Sequence, residues 1–272
     1  MSLEESAPDV ACETMSSTVS HRRFGGLERL YGVAGAARIR AAHVVVVGIG
    51  GVGSWAVEAL ARSGVGAITL IDLDHVAESN INRQIHAVTS TVGQAKVLAM
   101  RDRIAQIHPD CQVQCVDEFV DSENWPGLLP PGNVDALIDA CDQVKAKTAL
   151  AEWATHAGVL HIAVGAAGGK RFAHKVDIDD LAQITHDPLL AQLRYRLRKF
   201  HGAPREGKKM NVTCVFSREA VAPPDASCEV AGDGSLNCHG YGSVVAVTAT
   251  FGQCAAGWVL DKLATNSKRQ SK

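Results

Sequence analysis

Residues 44–84 hold a cluster of side chains suited to phosphate chemistry. Four valines, Val44 to Val47, run into Gly48-Ile49-Gly50-Gly51-Val52-Gly53. Gly48, Gly50 and Gly53 fit the G-x-G-x-x-G spacing. Placed between a strand and a helix, such a loop turns tightly and admits phosphate close to the backbone. The helix that follows then offers unpaired N–H groups and a positive dipole end. Asp72 lies 19 residues beyond Gly53, at the end of the next apolar run, where a carboxylate commonly accepts from a ribose hydroxyl. Asp74, Asn80, Arg83, Gln84 and Lys96 follow, and Asp142 comes after a further apolar run. The glycine loop and Asp72 alone suit a dinucleotide or a nucleoside triphosphate equally.

The elements that must position these residues alternate along the chain. His43–Val47 and Ala67–Asp72 read as buried parallel strands, and Ser54–Ser63 as the helix between them. Val97, Met100, Ile104 and Ile107 lie near one face of a helix over Thr91–His108, stopped by Pro109. Strands at Cys111–Val116, Val134–Ala140 and Leu160–Val164 enclose a helix at Val144–Ala157. A helix at Asp187–Phe200 and a strand at Val212–Phe216 follow, with a loop over Pro223–Gly242. Alternating strands and helices imply an α/β fold with a mainly parallel sheet and a C-terminal elaboration. Residues 1–20 read as a disordered tail, 21–265 as one domain and 266–272 as a basic tail. Within the domain, about 40–165 binds nucleotide and about 166–265 forms the elaboration.

The motifs resemble those of the ThiF/MoeB family, the bacterial relatives of the ubiquitin-activating enzymes. The resemblance rests on Gly48–Gly53, Asp72-x-Asp74, Ser79-Asn80-x-Asn82-Arg83-Gln84, Gly93-x-x-Lys96 and Cys141-Asp142, in that order. It implies a doubly wound, Rossmann-like sheet and a homodimer that adenylates a carboxylate with Mg-ATP. It further implies that Gly51 and Gln84 belong to the ATP site with the other glycines. Asn80 and Arg83 would contact phosphates, Lys96 would bridge them, Asp72 would hold the ribose and Asp142 the magnesium. Arg83, Lys96 and Asp142 are thus the expected catalytic residues. The residue types agree, because two cations suit a triphosphate better than a dinucleotide.

The chain lacks the C-x-x-C pairs that usually hold zinc in the family, so no zinc is expected. Gly165–Lys170, Asp187-Pro188-Leu189, Val212–Ser217, Asn237-Cys238 and Val247–Gly252 resemble a narrower branch that dehydrates N6-threonylcarbamoyladenosine in tRNA. That resemblance implies ATP-dependent cyclisation of the base through an acyl-adenylate. A monovalent cation and a cysteine desulfurase or sulfur-acceptor partner belong to the same expectation. The alternative is adenylation of the C-terminus of a small sulfur-carrier protein. An arginine lent across a dimer has only Arg22, Arg23 and Arg29 as candidates.

An RNA substrate requires local cations. Arg194, Arg196, Arg198, Lys199, Arg205, Lys208 and Lys209 fall within sixteen residues, interleaved with Tyr195 and Phe200. They suit phosphate and base contact. The same stretch also reads as a solvated helix with Leu193 and Leu197 inward. Cys238 is a candidate reactive thiol or a structural one.

Composition sets the outer bounds. The 272 residues are 46% hydrophobic and 21% charged, with a formal net charge of −2. Nucleic-acid contact must therefore be local rather than driven by global charge. The N-terminus has no apolar signal segment, so the expected location is the cytoplasm, with the 8 cysteines reduced. Ser243–Leu260 carries no charge but holds glycines, threonines and a glutamine, which favours a buried helix over a membrane span. Loose association with a membrane surface stays open.

Overall fold

The computed structural model describes residues 10–205, 207–225, 227 and 241–265. Seven strands form one sheet: β1 (His43–Val47), β2 (Ala67–Ile71), β3 (Gln112–Val116), β4 (Ala136–Asp139), β5 (Leu160–Val164), β6 (Val176–Asp180) and β7 (Thr213–Ser217). Their order is β3-β2-β1-β4-β5-β7-β6. All pairs are parallel except β6 with β7. The apolar runs explain this, since strands covered on both faces have no solvent side to alternate toward. Val44 to Val47 are almost entirely buried.

Among the described residues, six helices flank the sheet: α1 (Val10–Ala41), α2 (Gly53–Arg62), α3 (Lys96–Ile107), α4 (Val144–Ala157), α5 (Pro188–Phe200) and α6 (Val245–Thr265). One core packs α2, α3 and α6 against the sheet through Leu60, Met100, Ile104, Phe251 and Val259. Another gathers α4 with Val45, Leu137, Val120 and Trp125. A third joins α5 to β7 through Leu193, Leu197, Cys214 and Phe216. Chain order reverses between β1 and β4, the crevice at which open α/β sheets bind ligands.

Several expectations change. The α1 helix begins at Val10, inside the segment read as a disordered tail, and breaks at Gly32, where φ is 74°; residues 1–9 lie outside the described residues. The helix expected from Thr91 begins at Lys96. Residues 92–95 instead form a turn that ends in a single bridge between Ala95 and His75, with Gly93 N–H donating to Val76 O at 2.8 Å. Strand β6 was not foreseen, because Val-Asp-Ile-Asp-Asp is acidic and only half-buried at the sheet edge. Residues beyond 165 add β6 and β7 to the same sheet, and α6 lies directly on α2. Ser243–Leu260 thus falls largely in this buried helix, and no described helix is long and apolar enough to cross a membrane. Cys238 and the tail 266–272 lie outside the described residues.

Candidate active site

The glycine loop leaves β1 and enters α2 beneath a cleft of about 580 Å³. Gly48 adopts φ 84°, and a Cβ there would sit 2.8 Å from the Ala140 carbonyl group. At Gly53 a Cβ would run into the Gly48 carbonyl oxygen. Both positions therefore exclude side chains, and the loop lies tight against the end of β4. No side chain caps the first turn of α2, and the N–H groups of Ser54, Trp55 and Ala56 donate to Gly50 O and Val52 O, so the helix offers an anion chiefly its positive dipole end.

Asp72, at the end of β2, ties this loop to the next segment. One oxygen accepts from Ile49 N–H at 2.6 Å and the other from Asp74 N–H at 2.8 Å. Burial pushes its carboxyl up, while Lys96 and the two N–H bonds pull it back. Lys96 begins α3 and donates from Nζ to Asp74 Oδ2 at 2.6 Å. Its stem is buried while Asp74 is half-exposed, so the ammonium is held at the cleft wall.

The turn at Glu78–Asn80 positions the next group. Asn80 Oδ1 accepts from Ala77 N–H at 3.1 Å, which closes the turn. Arg83 donates to Ser79 O at 2.7 Å and to Asn82 Oδ1 at 3.1 Å. Its own carbonyl accepts from Trp55 Nε1 at 2.9 Å. Arg83 Nε and Gln84 Oε1 are buried and lack any partner among the described residues. Both residues line the cleft. Buried polar atoms without partners are rare, and a bound ligand is one of the few things that satisfies them.

On the other side of the switch point, β4 ends at Asp139 and the chain turns through Cys141 and Asp142 into α4. Asp142 is exposed and lines the cleft. The turn is pinned from below by a fully buried ion pair, with Lys147 Nζ 3.0 Å from Asp139 Oδ1. Lys147 also donates to the Asp139 carbonyl at 3.2 Å. The same Asp139 oxygen accepts from Cys141 N–H at 3.2 Å and from its thiol at 3.0 Å. Burial would push the Lys147 ammonium down, but the Asp139 carboxylate holds it above the ordinary lysine value. Burial and the same carboxylate push the Cys141 thiol well up, which leaves it inert as a nucleophile.

Every residue expected in the nucleotide site borders this cleft except Gly53, which lies beneath it: Gly48, Gly50, Gly51, Asp72, Asp74, Asn80, Arg83, Gln84, Lys96 and Asp142. Sequence reading singled out Gly165–Lys170, Asp187-Pro188-Leu189 and Val247–Gly252 as motifs without placing them at the site, and passed over residues 118–120. Gly165 to Gly168, Leu189 and Thr248 close one side, and Glu118-Phe119-Val120 the other. Thr248 comes from α6, with its hydroxyl 3.4 Å from the Arg83 carbonyl. Lys147 was also missed, although a lysine among the inward positions Ala146, Leu150, Ala151 and Ala154 was a readable sign of a buried partner.

The expected RNA-contact residues separate into two groups. Arg194 donates to Leu181 O and Ile184 O at 3.0 and 2.8 Å, so it braces the preceding loop rather than facing outward. Arg198 donates to Pro204 O at 3.1 Å. Lys199 remains at the surface, 5.4 and 5.1 Å from the centres of the exposed Tyr195 and Phe200 rings. Arg205, Lys208 and Lys209 are exposed. Arg196 is half-buried against Thr148 and Phe200. Arg23, one candidate for an arginine lent across a dimer, donates within its own chain to Ile107 O at 2.6 Å.

The chain is similar over most of its length to known tRNA-modifying enzymes. It is 43% identical over 258 residues to the tRNA threonylcarbamoyladenosine dehydratase of Escherichia coli, spanning 92% of this chain and 96% of that one. The Haemophilus influenzae enzyme of the same name is 42% identical, spanning 89% and 93%. A solved structure of the E. coli enzyme in complex with ATP superposes with a TM-score of 0.83 at 42% identity, covering 93% of this chain and 98% of that one. A complex with AMP gives 0.81. The model of the ThiF family matches residues 24–272, and the chain belongs to the ThiF family.

Proposed function

We propose that this protein dehydrates N6-threonylcarbamoyladenosine in tRNA, with ATP as the activating co-substrate. The reading rests on the convergence of Arg83, Lys96, Asp72 and Asp142 on one cleft, in a chain that spans nearly all of relatives bearing that activity. The buried, unpartnered Arg83 Nε and Gln84 Oε1 support a polar ligand in that cleft.

The chemistry follows from the charges. A carboxylate is a poor electrophile, so one of its oxygens first attacks the α-phosphorus of ATP, and pyrophosphate departs. Arg83 and Lys96 stabilise the negative charge moving onto the departing oxygens. Asp72 holds the ribose and the α2 N-terminus faces the phosphates. The modified side chain then closes on the acyl carbon and AMP leaves with the former carboxylate oxygen. That closure is intramolecular, so orientation supplies much of the rate. Magnesium would rest on Asp142 and the phosphate oxygens. Its fit is reasonable, because this ion prefers one or two carboxylates plus phosphate to an all-protein cage, and Asp142 is an exposed carboxylate lining the cleft. When bound it would neutralise triphosphate charge.

Isotope transfer tests the reading. With the threonine carboxylate labelled by oxygen-18, one label should appear in AMP and the nucleoside should lose the mass of water. Unlabelled AMP, or no AMP, would reject it. Adenylation of a sulfur carrier has weaker support. The Salmonella typhimurium molybdopterin-synthase adenylyltransferase matches only 41% of this chain. The expected homodimer gains support from Leu30 and Val33 on α1, which are 72% and 69% exposed, and sedimentation velocity checks it. The cytoplasm is the proposed location, with a sulfur-transfer partner and a monovalent cation as further proposals from the family.

A further inference from the structure

A second concavity of about 330 Å³ lies between α4 and α5, apart from the nucleotide cleft. Trp125 and Trp153 form its aromatic wall, with ring centres 5.2 Å apart at 84°. Trp125 is buried, and its indole N–H is a donor without a partner among the described residues. Lys145 and Arg196 supply positive charge. Lys145 is exposed, and Arg196 uses Nε on Thr148 Oγ1 at 3.2 Å while its guanidinium lies 5.4 Å from the Phe200 ring centre. Glu152 is the one carboxylate in the lining among the described residues, and it lies 3.5 Å from His201 Nδ1.

The groove adjoins the cleft through shared helices. On α4, Ala146 lines the cleft and Ala149 the groove, about 4.5 Å apart along the axis. On α5, Leu189 lines the cleft and Arg196 the groove, about 10 Å apart. Those separations suit a nucleotide one or two positions from the one reacting in the cleft. Single-stranded RNA is held by stacking bases on aromatic faces and pairing phosphates with cations. A base edge also carries amino donors for Glu152 and acceptors for an unmet indole N–H.

We infer that the groove between α4 and α5 holds a flanking nucleotide of the RNA substrate, with its base against Trp153 and its phosphate on Lys145 and Arg196. The inference rests on the tRNA reading above and assigns that substrate a second site. Lys145 is exposed and makes no hydrogen bond or ion pair among the described residues, so Lys145→Ala should leave the structure intact. Trp153→Phe keeps an aromatic ring should Trp153→Ala fail to fold.

The test is filter binding of full-length tRNA by the intact protein over a salt series, run beside AMP release with the same tRNA. Lys145→Ala should weaken tRNA binding three- to tenfold and lower the slope of log affinity against log salt by about one. Trp153→Ala should weaken it roughly ten- to hundredfold, with Trp153→Phe recovering most of the loss. The KM for ATP should stay within twofold throughout. Unchanged tRNA affinity in folded Lys145→Ala and Trp153→Ala would overturn the groove while leaving the dehydration intact. Absent AMP release from wild-type protein that still binds tRNA through these residues would instead overturn the dehydration alone.

Discussion

Replacing Lys147 by Met would leave Asp139 as an unpaired charge in the core. Both partners are fully buried, and Lys147 Nζ is the only cation within reach of the Asp139 carboxylate among the described residues. Asp139 Oδ2 already lacks a partner. Removing one member of such a pair costs about 3–5 kcal/mol. The carboxyl can escape by binding a proton, which at pH 7 costs an ordinary aspartate about 4 kcal/mol and so caps the penalty. Against a typical stability of roughly 5–15 kcal/mol this is a large loss.

The sign with pH follows. In the variant the folded carboxyl titrates above its unfolded value, so the penalty is full above that raised pKa. It shrinks by about 1.4 kcal/mol for each pH unit below it. Urea unfolding at pH 7 and pH 5 reads both effects. Asp139→Asn combined with Lys147→Met removes the charge as well and should recover most of the stability. His161 also faces this pair. Burial and Lys147 lower its pKa to about 4, although Asp139 opposes them, so His161→Asn in the same background shows which group takes the proton. A loss below about 1 kcal/mol, or one that does not vary between pH 7 and pH 5, would refute the account.

Lys96→Ala should lower AMP formation at least a hundredfold while costing at most about 1 kcal/mol, because its partner Asp74 is half-exposed; near-normal turnover removes it from the site. Asp142→Asn should abolish turnover with no shift in the urea midpoint, since Asp142 is exposed at the cleft mouth. Gly252→Ala should destabilise by about 1–3 kcal/mol, because the new Cβ would lie 2.5 Å from Val52 O where α6 crosses α2; an unchanged urea midpoint counts against that packing. Burial and the charges of Lys96 and Arg103 depress His86 to about 4. Its contribution is complete above pH 6.5 and declines by up to about 3 kcal/mol as pH falls to 4. His86→Phe should flatten that acid limb of the stability curve.

What the sequence disclosed and what it hid divide along a physical line. Phosphate and carboxylate chemistry demand particular residue types. Gly48 and Gly53 are needed because nothing larger fits, and the proposed chemistry needs the charges of Arg83, Lys96 and Asp142. Such residues announce themselves before any fold is known. The walls of the cleft do not, because Phe119, Leu189 and Thr248 are ordinary residues made functional by where α5, α6 and the turn after β3 end. The position of β7 between β5 and β6 is a long-range pairing that no local pattern reports. Lys147 stands between these cases: its type was visible and its inward helical position readable, yet its partner Asp139 lies on the adjacent strand. The same division explains why the proposed ATP site can be argued from residue types while the proposed RNA groove cannot. Trp125, Trp153, Lys145 and Arg196 are separated in sequence by up to 71 positions, and only the packing of α5 against α4 makes them neighbours. A substrate that spans both sites therefore depends on that helix pair, and a mutation loosening α5 from α4 should impair RNA binding before it impairs ATP binding.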